Sequence, residues 1–268
     1  MAKKLSIDWY DTPMYYDLIF SEHTELETDF LLRAYQIHAN EGLHRRAIRV
    51  LEPACGSGRL VESMARRGCT VAGFDGNDKM LEFAKARLKR EALKARLWQD
   101  RMERFTLPAR ESAGFDLAHC LVSTFKYLLT EADAVGNLQC VADALRPGGL
   151  YFLGLHLTDY ARTSCEHERW VGVHGSTQVV CNTRTWPADS RTRLEPIRTR
   201  LRITVDGSQR VQETRWQFRT YDAKQLGKLL KRVPALEHLV SYDFRYDLGE
   251  PRSLDDEYAD ILLVLRKR

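Results

Sequence analysis

The eleven residues from Val50 to Leu60 (VLEPACGSGRL) constrain this chain more than any other stretch. An apolar run closes on Glu52, small residues recur at Ala54, Gly56 and Gly58, and a segment carrying Leu60, Val61 and Met64 follows. That order reads as strand, tight loop and helix. Glycine in the loop tolerates left-handed dihedrals and, having no Cβ, lets backbone approach a ligand. In an open parallel sheet such a loop lies beyond the carboxyl ends of the strands, where ligands bind.

The flanking sequence repeats the same alternation. Strands are expected over 46–52, 69–74, 95–98, 115–121 and 150–157. Helices are expected after Gly58, over 78–96 and over 130–145, where Thr130 and Asp133 resemble a capping box. Pro147-Gly148-Gly149 then breaks the chain before the fifth strand. This is the pattern of an α/β fold with a doubly wound sheet. Residues 11–47 read as a helical lead-in stopped near Glu41-Gly42, so 1–45 is expected to act as a lead-in or lid. After Leu157 the pattern changes to short alternating segments at 177–182, 200–205 and 211–220. Asp206-Gly207 supplies a hairpin turn between two of them. An antiparallel β insertion over 158–220 is therefore expected after strand five, shaping part of the site. A helix over 223–233 and strands over 239–244 and 259–266 complete a seven-stranded sheet, making the whole of 1–268 one domain.

Composition serves mainly to exclude. Hydrophobic residues are 44% and charged residues 29%, as in a globular protein with a real core. The six cysteines form no CxxC pair and no zinc spacing, so reduced thiols and no metal are expected. A net charge of +4 is too small by itself to argue for nucleic acid. The start, Met1 to Leu5, meets Asp8 and Trp9 at once, and no apolar run approaches a bilayer span. A cytoplasmic chain with no membrane partner is the expectation.

The dinucleotide fingerprint GxGxxG is the nearest rival for the loop, but Val61 stands where its third glycine belongs. The pattern instead resembles motif I of class I S-adenosylmethionine-dependent methyltransferases, with Ala54 in the first glycine place. The resemblance covers about residues 45–157, with a tail at 221–268. It implies a Rossmann-like methyltransferase fold, S-adenosyl-L-methionine as cofactor and S-adenosyl-L-homocysteine as product. It places Glu52, Ala54, Gly56 and Gly58 around the methionine part, and Asp75, 17 residues past Gly58, at the ribose hydroxyls. Asn77 and Met80 fall on the adenine side. In Trp98–Phe105, Arg101 takes the place where that family carries an adenine-binding aspartate, if Met102 and Phe105 keep theirs. Either Asp100 or a backbone group then reads the adenine. Met102 and Cys120 complete the expected cofactor set. The aromatic lead-in Pro13–Phe20 is similar to the start of small-molecule methyltransferases.

Methyl transfer from a sulfonium is an in-line displacement that positioning and desolvation can accelerate, so few residues announce it. The sequence after strand four, His119 to Phe125, lacks the Asn/Asp-Pro-Pro-aromatic motif of base-amine and glutamine methylation. Neither a catechol-type magnesium cluster nor a Pro-Cys nucleophile is present. A small-molecule acceptor remains, with N-methylation first and O-methylation second. The candidate catalytic residues are Tyr15, Tyr16, His119 and His156, with Phe125 and Trp170 as further candidates. Aromatic faces suit a cationic amine beside a sulfonium, and a histidine such as His156 exchanges protons near neutral pH. Trp170, Trp186 and Trp216 read as the insertion's own small core rather than as an acceptor cage. Arg184, Arg191, Arg193, Arg198, Arg200 and Arg202 read as a solvated face, or as a surface for an acidic substrate or RNA. The rival functions are an RNA methyltransferase and a catalytically silent binding module. A monomer or homodimer is expected, with nucleic acid disfavoured.

Overall fold

The computed structural model describes residues 4–39, 47–111 and 114–268. A seven-stranded sheet runs in the order β11-β12-β6-β5-β2-β3-β4. Its strands are β2 (Arg49–Pro53), β3 (Thr70–Asp75), β4 (Arg96–Gln99), β5 (Phe115–Cys120), β6 (Leu145–His156), β11 (Leu236–Tyr242) and β12 (Asp260–Lys267). β2 pairs in parallel with β3 and β5, as do β3 with β4 and β5 with β6, while β12 lies antiparallel between β6 and β11. Strands covered on both faces need continuous apolar runs. Accordingly β5 is buried at every position, and so is β6 from Gly148 to Leu155.

Helices lie on both faces. α2 (Thr24–His38), α3 (Arg59–Arg66) and α4 (Asp78–Arg90) pack Phe30, Leu31, Met64, Leu81 and Leu88 against one side. α5 (Glu131–Ala144) and α6 (Ala223–Lys231) pack Leu138, Val141, Leu226 and Leu229 against the other. Both of the latter start on side-chain caps: Thr130 accepts from the Asp133 N–H, and Asp222 forms a reciprocal capping box with Gln225. The expected helix over 78–96 stops at Arg90. Ala92, at φ 52°, sends its N–H to the Lys89 carbonyl, and the Leu93 N–H reaches the Leu88 carbonyl. This is a Schellman stop made with alanine where glycine is usual, so the sequence did not signal it.

The second sheet runs β1-β10-β9-β8-β7. It comprises β7 (Glu166–His174), β8 (Thr177–Thr185), β9 (Leu194–Val205) and β10 (Ser208–Arg219), an antiparallel meander, with β1 (Lys4–Ser6) added in parallel to β10. Asp206 and Gly207, both at positive φ, make the β9–β10 turn. β7 was not among the expected strands because it is an edge strand with mostly exposed positions, which leaves no apolar alternation to read. β1 is too short to show a pattern.

The lead-in is not one helix. A 3-10 turn (Trp9–Asp11), α1 (Pro13–Phe20) and α2 are separated by short breaks. The Glu41-Gly42 stop lies outside the described residues. Trp9, Tyr15 and Ile19 pack on Val179, Cys181, Leu201 and Ile203 of the second sheet, forming a third apolar cluster. Gly172 is required for this docking: a Cβ there would lie 2.4 Å from the Leu18 carbonyl oxygen.

Candidate active site

The β2–α3 loop curves sharply, with positive φ at Ala54 (54°), Gly56 (52°) and Gly58 (73°). A Cβ on Gly56 would meet nothing within 4 Å, so the loop faces open space there. At Gly58 a Cβ would lie 2.7 Å from the Ala84 Cβ, and the missing side chain lets α4 close against the loop. Asp75, at the end of β3, ties the two segments together. Its Oδ2 accepts from the Gly56 N–H and its Oδ1 from the Asn77 N–H, each at 2.8 Å. Burial pushes its carboxyl above the ordinary value, against the pull of the Asn77, Gly56 and Gly76 N–H groups.

Glu52 ends the strand below the loop. It is buried, and its Oε2 has no hydrogen-bond partner among the described residues. Burial pushes this carboxyl up to about 8; Arg59 opposes the shift, while Glu27 and Asp75 add to it. Arg59 is itself held by Glu27 (2.5 Å) and Thr24 (3.1 Å), both from α2.

The lead-in closes over these groups. Asn77 donates to Asp11 (3.0 Å), Lys79 pairs with Asp11 (3.1 Å), Ser57 donates to Asp17 (2.7 Å), and Arg87 also pairs with Asp17. Tyr16 lies near enough for Asp75 to influence it. Burial, opposed by Arg59 and aided by the Asp75 charge, takes its hydroxyl to about 12. Tyr10 feels the same burial and the same carboxylate, and donates to the Tyr127 hydroxyl at 2.6 Å.

Beyond those tyrosines opens a cavity of about 960 Å³ between the two sheets. The lead-in gives it Trp9, Tyr10, Tyr16 and Phe20; the segment after β5 gives Val122 to Thr124, Lys126 and Tyr127; that after β6 gives His156 to Arg162. The second sheet supplies Trp170, Trp216 and Phe218. Trp216 stacks on Trp9 with ring centroids 4.7 Å apart. At the end of β6, His156 Nδ1 lies 2.6 Å from Asp260 Oδ1.

A family profile described as "Methyltransferase domain" matches residues 50–149. Residues 50–149 thus carry the likeness to a methyltransferase domain. The chain is 32% identical over 149 residues to a ubiquinone biosynthesis O-methyltransferase from Aromatoleum aromaticum, an alignment covering 56% of this chain and 57% of that protein. A protein of the same name from Nitrosospira multiformis is 33% identical over 103 residues, 38% of this chain and 41% of its own. The chain thus spans about half the length of the curated relatives it matches. In fold it is similar to an S-adenosylmethionine-dependent methyltransferase from Clostridium acetobutylicum (TM-score 0.72, 18% identity, 90% of each chain). It is similar also to the amino pentose methyltransferase CalS10 from Micromonospora echinaspora, solved with S-adenosylmethionine (TM-score 0.71, 17% identity, 100% of each chain).

The residues of the β2–α3 loop suit S-adenosylmethionine, the molecule with which CalS10 was solved. An unpartnered buried carboxylate oxygen on Glu52, open space before Gly56 and an aspartate at the end of β3 stand at one cleft. Ala54, Gly56, Gly58, Glu52, Asp75 and Asn77 fall together there. Asn77 is committed twice, accepting from the Met80 N–H and donating to Asp11. Asp100 joins the neighbourhood through its N–H, which donates to the Asp75 carbonyl (3.2 Å). Its carboxylate braces its own loop, accepting from the Arg101 and Thr106 N–H groups. Met80 and Cys120 are core residues, and burial takes the Cys120 thiol to about 12. Met102 is partly buried against the same core, and its carbonyl accepts from Asn137.

Of the expected catalytic residues, Tyr16 and His156 line the cavity and two do not. Tyr15 turns toward the second sheet, its hydroxyl taken by Arg210 and its ring 5.1 Å beneath that guanidinium. Successive residues of a helix point about 100° apart, and that step turns Tyr15 away from the cavity that Tyr16 lines. His119 is wholly buried, and burial, reinforced by Arg59, takes its ring to about 3, leaving it neutral. Phe125 is also fully buried in the core. Trp170 and Trp216 pack against the apolar cluster of the second sheet, as expected, and also line the cavity. The arginines are more engaged than a solvated face implies: Arg184 and Arg198 lie over Trp186, Arg193 over Tyr221, and Arg200 pairs with Glu213. The sequence reading missed Trp9, Tyr10, Tyr127, Glu168 and Asp260. Their one shared signal was aromatic or acidic character in segments without motifs.

Proposed function

We propose that this protein transfers the methyl group of S-adenosylmethionine to a nitrogen of a small-molecule acceptor, with oxygen as the second choice. One observation carries the reading: the aromatic cavity adjoins the β2–α3 loop and Asp75 through Tyr10 and Tyr16. A volume of about 960 Å³ belongs to the range of small-molecule pockets. The 158–220 segment is the acceptor-shaping part, and the lead-in is its lid.

S-adenosylmethionine, when bound, supplies an electrophilic methyl group. Asp75 retains acceptor capacity for ribose hydroxyls after its two backbone bonds, since each carboxylate oxygen carries a further lone pair. Glu52 takes a donor at its unpartnered oxygen, and Ala54, Gly56 and Gly58 bring backbone to the methionyl part. The backbone beside Asp100 is better placed for adenine than its carboxylate, which is occupied by its own loop. Tyr16, Trp9 and Trp216 exclude water and offer ring faces to a cationic acceptor. An ammonium must lose a proton before its lone pair can attack, and His156, oriented by Asp260, receives it. Arg184, Arg193, Arg198 and Arg200 are occupied by aromatic rings or a carboxylate, which favours a small molecule over RNA.

Calorimetric titration with S-adenosylhomocysteine, with NADH as control, tests the cofactor half. Micromolar binding of the first alone is expected, and a well-folded protein that binds neither would refute the reading. Transfer of a labelled methyl group to matched amines and alcohols tests the nitrogen preference, which exclusive labelling of alcohols would reverse.

A further inference from the structure

The cavity carries a charge the chain as a whole does not. The protein has a net charge of +4, yet the cavity is lined by eight Asp and Glu residues against one Lys and one Arg. Both cations are already neutralised. Lys126 faces Glu195 at 3.4 Å, and Arg162 binds Glu195 at 3.0 Å and Glu166 at 3.1 Å.

Glu168 differs from these. It lies on β7 two residues from Trp170, and strand alternation sets both on the cavity side with Glu166. Among the described residues its carboxylate has no hydrogen bond and no ion pair. Glu168 is exposed on this edge strand, yet partial burial of its carboxyl raises its pKa against the pull of His156, and the charges of Glu166, Asp260 and Glu195 add to the rise. A cation placed among these carboxylates relieves their repulsion; a neutral molecule does not.

We infer that the cavity selects a small organic cation, an amine bound in its protonated form, with Glu168 as the principal counter-charge and Asp260 as the secondary one. The inference rests on reading this cavity as the acceptor site. The aromatic walls and the acidic groups act on one ligand: ring faces take its body and Glu168 its ammonium. Anionic acceptors are rejected by the same residues.

The test uses three probes of one shape: benzylamine, benzyl alcohol and benzoate. Each is titrated by calorimetry into wild type and Glu168→Gln, with and without saturating S-adenosylhomocysteine. Benzylamine is expected to bind wild type at least about tenfold more tightly than benzyl alcohol, with benzoate weakest. In Glu168→Gln that preference falls to about twofold or less, while S-adenosylhomocysteine affinity stays unchanged. Equal or tighter binding of benzyl alcohol or benzoate overturns the inference. So does undetectable benzylamine binding, or a preference that survives Glu168→Gln. Failure of S-adenosylhomocysteine to bind, with the cation preference intact, refutes the methyltransferase reading and leaves this one standing.

Discussion

The proposed cofactor cleft and the proposed acceptor cavity adjoin, but they are built in opposite ways. The cleft comes from one short contiguous piece, Glu52 to Gly58, and one aspartate at the end of the next strand. The cavity draws on the lead-in, the segments after β5 and β6, four strands of the second sheet and the loop before β12. A fixed ligand needs backbone shape, which local sequence encodes. A variable ligand needs only side chains gathered by the fold. Substitutions in the cleft should therefore act through shape and abolish binding of the cofactor. Those in the cavity should leave cofactor binding alone and change turnover.

The largest effect is expected at Gly58. Its φ of 73° and the 2.7 Å approach of a Cβ to Ala84 leave no room for a side chain. Gly58→Val combines a left-handed β-branched residue with a clash against α4. Loss of measurable S-adenosylhomocysteine binding is expected, together with a lowered Tm. Near-normal affinity would break the claim that loop shape is what the cofactor reads.

His156→Ala sharpens the comparison from the other side. A fall of about 100-fold or more in kcat is expected, with S-adenosylhomocysteine affinity unchanged within about twofold. Asp260→Asn should reproduce part of that fall, because the His156 ring then loses the carboxylate that orients it at 2.6 Å. An unchanged kcat in both would assign the pair a structural role. Asp75→Ala comes next, with affinity for S-adenosylhomocysteine reduced about 10- to 100-fold, the scale of hydrogen bonds to a charged group. Some of that loss will come from the loop, since Asp75 also holds the Gly56 N–H. Asp75→Asn, which keeps an acceptor oxygen, should lose less.

The same contrast explains what could be read in the sequence. The sheet and its motif loop were legible because β2, β3, β5 and β6 are short segments rich in apolar residues and because loop shape demands small residues. Tyr16 and His156 were found by their chain position beside expected strands. Tyr15 and His119 were misplaced because a one-residue step decides whether a side chain faces core or cavity, and composition does not record that step. Met80 and Cys120 were taken as cofactor contacts on position alone and are core. Trp9, Tyr127, Glu168 and Asp260 come from segments far apart in the chain, with no spacing between them to recognise. β7 escaped because an edge strand rich in charge has no apolar rhythm.

The smallest effect concerns Glu52, and its sign follows from linkage. Burial raises its carboxyl in the folded state to about 8, whereas the unfolded chain titrates near the ordinary carboxylate value. Between those values the folded protein binds more protons than the unfolded one. Its contribution to stability is therefore fully present below the unfolded value and is lost as pH rises toward 8. Glu52→Gln keeps the shape and removes the titration. The cofactor-free variant should lose less stability than wild type between pH 5 and about 8, so that its relative Tm rises by a few degrees over that interval. Arg59 limits the size of the effect by partly compensating the charged form. Thermal unfolding of both proteins across the interval measures it. Parallel Tm curves would mean that Glu52 is already compensated in the free protein, and would remove the argument that its unpartnered oxygen is reserved for the cofactor.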